Sequence, residues 1–98
     1  MRIRLSALAV ADIEEAVGHY DEQTPGLGTE FLEAIDRVVE RLEMFPDGAP
    51  PVDGFPGVRR ARVRRFPYGM FYTVASNDVV VLRVLHARRD VVGQVLGG

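Results

Sequence analysis

The order of apolar and polar residues along the chain predicts one short strand, two helices and then three strands. Arg2 to Leu5 alternate basic and apolar side chains, which is typical of a short strand near a sheet edge. Ser6 is a suitable helix N-cap, and behind it apolar residues recur every three or four positions, as on one face of an amphipathic helix. The members of this stripe are Val10, Ile13, Val17 and Tyr20.

A second helix is predicted from about Leu27, after the helix-breaking sequence Thr24-Pro25-Gly26. Its apolar residues again recur every three or four positions, and Pro46 ends the pattern. They are Leu27, Phe31, Ile35, Val38, Leu42 and Phe45. Since the break between the helices is so short, the two helices are expected to form an antiparallel hairpin.

The second half of the chain predicts a loop followed by strands. The segment from Asp47 to Gly57 is rich in proline and glycine and is interpreted as a loop. Strands are then predicted from Val58 to Arg65 and from Tyr68 to Ala75, because β-branched and aromatic residues dominate or alternate with polar ones. Ser76-Asn77-Asp78 is typical of a tight hairpin turn.

The last strand, Val79 to Leu85, is almost entirely apolar and is therefore predicted at the centre of the sheet. Strand alternation assigns its residues to two faces. One face holds Val80, Leu82 and Val84, and the other holds Val79, Val81, Arg83 and Leu85. The first face is expected to receive the helices. Residues 1–98 are thus predicted to form a single α+β domain of order β-α-α-β-β-β, a helical hairpin packed on one face of a mostly antiparallel sheet.

The uncovered face of this sheet is the first candidate for a functional surface. Arg60, Arg62 and Arg64 are assigned to it because they alternate along their strand and need not lose their water there. Three apolar residues are assigned to it as well, namely Phe71, Val81 and Leu85. An apolar patch rimmed by arginines typically marks an interaction site. The alternative for the arginines is a merely solvated strand face.

The charge is unevenly divided along the chain, although its net value is only −2. Residues 1–53 hold four arginines against twelve acidic residues, whereas residues 54–98 hold eight arginines against two acidic residues. The basic half is therefore suited to an acidic partner or a polyanion. Every basic residue is arginine, for which the alternative explanation is codon usage in a GC-rich genome.

The composition narrows the possible chemistry. The chain has no cysteine, which excludes disulfides and thiolate catalysis, and its two histidines have no metal-ligand spacing. We therefore expect no metal and no cofactor. No stretch approaches the ~20 apolar residues of a membrane span, and acidic residues interrupt the N-terminal segment where a signal peptide needs an apolar run. The expectation is a cytoplasmic protein without membrane contact.

Six short motifs, taken together and in order, resemble the RelE/ParE superfamily of small bacterial toxins. They lie at Ala9 to Glu15, Phe31 to Ile35, Phe45 to Gly48, Gly57 to Arg60, Phe66 to Tyr72 and Val84 to Asp90. The resemblance covers nearly the whole chain. It implies the toxin of a type II toxin–antitoxin pair, held inactive in a hetero-oligomer by a cognate antitoxin whose C-terminal segment wraps around it.

The same resemblance allows two modes of action. ParE-like members inhibit DNA gyrase by binding it, whereas RelE-like members sit on the ribosome and cut messenger RNA. The ending His86-Ala87-Arg88-Arg89-Asp90 is more similar to ParE-like members. A third possibility is a non-toxic relative that serves only as a binding module.

His86 is the one candidate acid or base for a ribonuclease mechanism, in which arginines hold phosphates and Tyr68 or Tyr72 stacks a base. The alternative is that His86 has a structural role, in which it ends the strand and forms a hydrogen bond to the backbone or to Asp90. Arginine remains protonated and is a poor general base. Binding without catalysis is therefore the leading hypothesis. The candidate contact residues for antitoxin or target are Arg60, Arg62, Arg64, Phe71, Val81, Arg83, Leu85, His86, Arg88 and Arg89.

Overall fold

A computed structural model describes residues 1–87, and within this range the expected order of elements is confirmed. The elements are β1 (Arg2–Leu5), α1 (Ala7–Gln23), α2 (Leu27–Met44), β2 (Val58–Val63), β3 (Tyr68–Ala75) and β4 (Asp78–His86). The sheet has the order β1-β4-β3-β2. The β1 strand runs parallel to β4, and the other two pairs are antiparallel. As predicted, β4 is an interior strand and β1 an edge strand.

Both helices begin with specific caps. The Ser6 side chain accepts a hydrogen bond of 3.0 Å from the backbone N–H of Ala9, as the N-cap prediction requires. The α2 helix is capped from the neighbouring helix, because Asp21 of α1 accepts a hydrogen bond of 2.8 Å from the Gly28 N–H. Gly26 makes the turn between the helices with a φ of 90°, a backbone conformation that favours glycine. A side chain of α1 thus caps the start of α2 within the hairpin.

One core fills the space between the hairpin and the sheet. Helix α2 contributes the predicted Phe31, Ile35, Val38 and Leu42, all buried. In α1 the predicted burial of Ile13 is confirmed, whereas Ala9 is buried in place of Val10 and Ala16 is buried more fully than Val17. The buried residues of α1 are Ala9, Ile13 and Ala16, with Val17 and Tyr20 partly buried, whereas Val10 is 40% exposed. Small alanine side chains allow the α1 backbone to pack closely on its neighbours. A pattern based on large apolar residues does not identify these alanines as core positions.

The assignment of Phe45 to the helical core is wrong. Phe45 is 62% exposed, and its backbone has already left the helix with a φ of −133° and a ψ of 73°. The period of three to four residues no longer applies beyond Met44, the last residue of α2. Phe45 and Met44 therefore both lie exposed at the C-terminal end of that helix.

The face assignment of β4 is also partly wrong, because the strand contains a bulge. Phe71 pairs with Arg83 and Tyr72 pairs with Val81, so that Leu82 is an extra residue opposite the ladder. One inserted residue reverses the alternation. Consequently Val79 and Val81 share the helix-covered core with Val84, whereas Val80 and Leu82 are half-buried and lie outside that cluster. Val84 is confirmed on the helix-covered face, and Leu85 is confirmed outside it.

The strand predicted to reach Arg65 ends at Val63. Arg65 has a φ of 73° in the turn that follows, and this turn buries Phe66 in the core. Arg64 therefore lies in the turn beside β2 and not in the strand itself. None of the helices within residues 1–87 is long and apolar enough to cross a membrane.

Candidate functional site

The face of the sheet away from the helices carries the arginines expected there. Cross-strand pairing places Arg60 opposite Phe71 and Arg62 opposite Gly69. The Arg60 guanidinium lies over the Phe71 ring, 5.8 Å from its centroid, in a cation–π contact. A Cβ at position 69 would lie only 3.2 Å from Arg60 Cγ and 3.3 Å from Cδ, so glycine at this position leaves room for the flat Arg60 side chain. Arg60 is thereby laid across the sheet.

The apolar patch predicted on this face is largely hidden. Phe71 and Leu85 do lie outside the helix-covered cluster, but they are only 3% and 6% exposed. Val81 is fully buried on the opposite face, so its assignment to this surface is wrong, and the cause is the bulge at Leu82. The face therefore presents the charge of Arg60 and Arg62 to solvent, together with the half-buried Val80 and Leu82.

Arg60 and Arg62 lie on this face and Arg64 lies in the turn that follows β2, and we call these three residues the arginine ridge. All three side chains are exposed. Within residues 1–87, no carboxylate lies within salt-bridge distance of any of them. Acidic residues within residues 1–87 therefore do not neutralise the charge of the ridge.

The other predicted contact arginines differ from the ridge. Arg83 is mostly buried and forms a two-point ion pair with Asp12 of α1, with nitrogen–oxygen distances of 2.7 and 2.8 Å. Hydrogen bonding to Asp12 raises the pKa of the Arg83 guanidinium further above its ordinary value. Arg88 and Arg89 lie outside the described residues.

The environment of His86 is aromatic. Its ring packs edge-to-face against Tyr68, its cross-strand partner, with centroids 5.2 Å apart. A cavity of about 340 Å³ lies beside it, between α1 and β4, and is also lined by His19, Asp12 and Glu15. Among the residues described, no three histidine or acidic side chains are grouped so that they could hold a metal ion.

The two tyrosines considered as base-stacking residues belong to the core. Tyr72 is fully buried, and its hydroxyl donates a hydrogen bond of 2.7 Å to the Pro46 carbonyl oxygen. Burial raises the pKa of that hydroxyl above 10. Tyr68 packs against Phe31, with ring centroids 5.0 Å apart. A stacking role for Tyr72 is therefore excluded while the fold is intact.

A large groove that the sequence did not indicate lies between α2 and the β2 edge of the sheet. Its volume is about 1020 Å³. The apolar part of its lining includes Val38, Leu42, Phe45, Ala49, Ala61 and Phe66, and the basic part consists of Arg41, Arg60, Arg62 and Arg65. These residues are far apart in sequence, and the apolar pattern, which assigned Phe45 to the helical core, gave no signal for the groove.

Comparison with known proteins agrees with this fold. The family model described as the ParE toxin of the type II toxin–antitoxin system parDE matches residues 3–91. A solved chain described as the chromosomal ParDE TA system from P. aeruginosa superposes with a TM-score of 0.80 at 23% identity, covering 90% of this chain and 97% of that one. The YoeB/ParE toxin from Agrobacterium tumefaciens superposes with a TM-score of 0.66 at 15% identity, covering 88% and 98%.

A comparison with curated proteins gives no match. The two structural matches show the α+β fold, and the family model spans nearly the whole chain, from β1 through the end of β4. We conclude that the chain belongs to the ParE toxin family of type II toxin–antitoxin systems.

Proposed function

We propose that this chain is a ParE-like toxin that inhibits DNA gyrase by binding it and is neutralised by a cognate antitoxin in a hetero-oligomer. The family supports a toxin with an antitoxin partner. The arginine ridge is the observation that carries the binding proposal, because its charge has no carboxylate partner within residues 1–87. An acidic antitoxin segment, partly disordered when free, supplies the missing negative charge on docking.

The ribonuclease alternative rests on His86 and its cavity. An imidazole beside a phenol and two carboxylates has the components of acid–base chemistry. The chain has no lysine, however, and its arginines stabilise charge without accepting a proton at neutral pH. We therefore favour inhibition by binding, with arginines rather than an acid–base pair as the functional groups.

The test of the mode of action is to express the chain without an antitoxin in three forms. These are the wild type, His86→Gln and the double variant Arg88→Ala with Arg89→Ala. We expect the wild type to induce DNA-damage signalling and to inhibit supercoiling by purified gyrase. We expect His86→Gln to retain most of this effect and the double variant to lose most of it.

Primer extension on translated messages provides the opposing readout. Cleaved messages that disappear in His86→Gln would establish the ribonuclease, since removal of a general acid or base lowers a rate by ~10²–10⁴. A harmless wild type that still binds the antitoxin would establish the non-toxic binding relative. In either case, inhibition of gyrase by this chain is contradicted.

The antitoxin part of the proposal is tested separately by co-purification with the product of the adjacent gene. Arg60→Glu combined with Arg62→Glu is expected to weaken the complex at least tenfold, since like charges then face each other. Arg37→Glu is the matched control, because Arg37 is exposed on α2 and lines neither the ridge nor the groove. Equal affinities for both variants would show that the ridge does not bind the antitoxin.

A further inference from the structure

The β2 edge beside the groove is partly occupied by hydrogen bonds from within the chain. Along this edge the Val58 carbonyl accepts a hydrogen bond of 2.9 Å from Val52, and the Arg60 N–H donates one of 3.0 Å to Pro50. Further along, Arg41 donates a hydrogen bond of 3.2 Å to the Arg62 carbonyl. Pro50 has no N–H of its own to continue the ladder. A partner that enters the groove therefore finds few free backbone groups for a ladder, and side-chain contacts supply most of its affinity.

The lining of the groove combines an apolar floor with positive walls. The exposed apolar residues of the lining are Phe45, Pro50, Pro67 and Ala87. Val38, Leu42, Ala49, Ala61 and Phe66 are buried core residues that also border the groove. No acidic residue is among the described residues that line it. Such a surface favours an apolar side chain at its centre with carboxylates around it.

The four arginines that line the groove differ in whether a carboxylate within the described residues already pairs with them. Arg65 is paired with Glu30 at 2.9 Å. Arg41 donates to a neutral carbonyl, and Arg60 lies over an aromatic ring, so neither is paired with a carboxylate in the described part of the chain. Arg62 is exposed and likewise has no acidic partner there. Three positive charges therefore remain for a ligand.

We propose that this groove binds an acidic segment of a protein partner through a large apolar side chain, held by side-chain contacts rather than by strand addition. The inference rests on the proposed function in one respect, namely that the segment belongs to the antitoxin. Phe45, 62% exposed at the end of α2, provides an aromatic surface at the groove for the incoming side chain. The groove, with a volume of about 1020 Å³, has room for a large side chain.

The proposal is tested with defined peptides on the full purified chain. The probe is a fluorescein-labelled peptide with glutamates flanking two leucines. Two further peptides replace the leucines with serine or the glutamates with lysine, and a single-stranded oligothymidine of equal charge serves as the polyanion. Fluorescence anisotropy is expected to show binding of the first peptide and at least tenfold weaker binding of the other three.

Two substitutions with matched controls place the binding in the groove. Ala87→Trp adds a bulky side chain to an exposed residue of the lining, and Ala11→Trp adds the same group on an exposed surface of α1. Arg41→Gln removes a charge from the lining, and Arg37→Gln removes one from another part of α2. Both groove variants are expected to weaken binding of the leucine peptide at least tenfold, and both controls are expected to bind as the wild type does. Thermal melts verify that all four fold.

Equal binding of the leucine and serine peptides would overturn the proposal, because the apolar floor would then contribute nothing. Preference for the oligothymidine would show that the groove binds polyanions and would reject the proposal. Failure of every probe to bind would also reject the proposal. The antitoxin complex separates this inference from the proposed function. Neutralisation that is unchanged in Ala87→Trp and Arg41→Gln rejects the groove as the antitoxin site and leaves the proposed function standing. If the peptide binds the groove but no partner neutralises the chain, the groove inference stands and the antitoxin part of the proposed function is rejected.

Discussion

Asp12 of α1 binds Arg83 of β4 through both carboxylate oxygens, at the edge of β4 that β1 does not cover. Because β1 ends at Leu5, the outer edge of β4 beyond Val81 has no strand neighbour within residues 1–87. The Asp12 carboxylate also accepts a hydrogen bond of 3.0 Å from the Val84 N–H, which lies on that edge. A single acidic side chain thus satisfies a guanidinium and a backbone donor, and it ties the helical hairpin to the sheet.

We predict that Asp12→Asn lowers the free energy of unfolding by about 3 kcal/mol, since it leaves a mostly buried guanidinium without its counter-charge. The two side chains are only 12% and 19% exposed, so water does little to replace the lost partner. Asp78→Asn is the control. Its partners Arg2 and Arg4 are 74% and 58% exposed, and its loss is expected to cost at most about 1 kcal/mol. Urea denaturation measures both, and equal costs would contradict the special role of Asp12.

The bulge in β4 predicts different costs for two neighbouring valines. Val81→Ala removes two methyl groups from a fully buried position and is expected to cost about 2 kcal/mol or more. Val80→Ala makes the same change at a half-buried position outside the core cluster and is expected to cost less than half as much. Chemical denaturation decides the order. A larger cost at Val80 would support the uninterrupted alternation and contradict the bulge.

Two helical glycines are predicted to respond to alanine in opposite directions. A Cβ at Gly28 would lie 2.8 Å from the carboxylate of Asp21, so that Gly28→Ala displaces the side chain that caps α2. Loss of such a cap costs about 0.5–2 kcal/mol. A Cβ at Gly18 meets nothing within 4 Å, and Gly18→Ala is expected to stabilise the protein by about 1 kcal/mol through helix propensity. Thermal melts that shift in the same direction for both would reject this account.

Tyrosine ionisation is expected to limit stability at alkaline pH. Burial raises the pKa of Tyr20 and Tyr72 above the ordinary value of 10, so the unfolded chain releases these protons at a lower pH than the folded chain does. The contribution of each tyrosine is therefore complete below pH 10 and is lost as the pH rises from there towards the folded pKa. The chain has no lysine that titrates in the same range.

The test compares Tyr72→Phe with the wild type by urea denaturation at several pH values between 8 and 11. At pH 8 the variant should be less stable by about 1 kcal/mol, because it loses the hydrogen bond to Pro46. The difference should shrink as the pH rises above 10, since only the wild type then loses stability through Tyr72. A difference that stays constant over the whole range would show that this tyrosine does not titrate differently in the two states.

The sequence by itself determined the order of the elements, the helical hairpin and the placement of β4 inside the sheet. Each of these follows from local patterns, because the spacing of apolar residues reports which side of a helix or strand is buried. The alternation of Arg60 and Arg62 with Ala61 and Val63 likewise placed the first two members of the arginine ridge on the correct face.

Only the tertiary structure decided how these elements meet. The bulge at Leu82 reverses the alternation of β4, so that Val79 and Val81 before it face the same core as Val84 after it. No local pattern shows the bulge, because the extra residue is defined by its pairing with β3. The Asp12–Arg83 pair joins residues 71 positions apart. The groove likewise depends on residues of α2, a loop and β2 that contact one another only after folding. Hydrophobic periodicity averages over each element, whereas pairing register and ion pairs depend on individual contacts between distant residues.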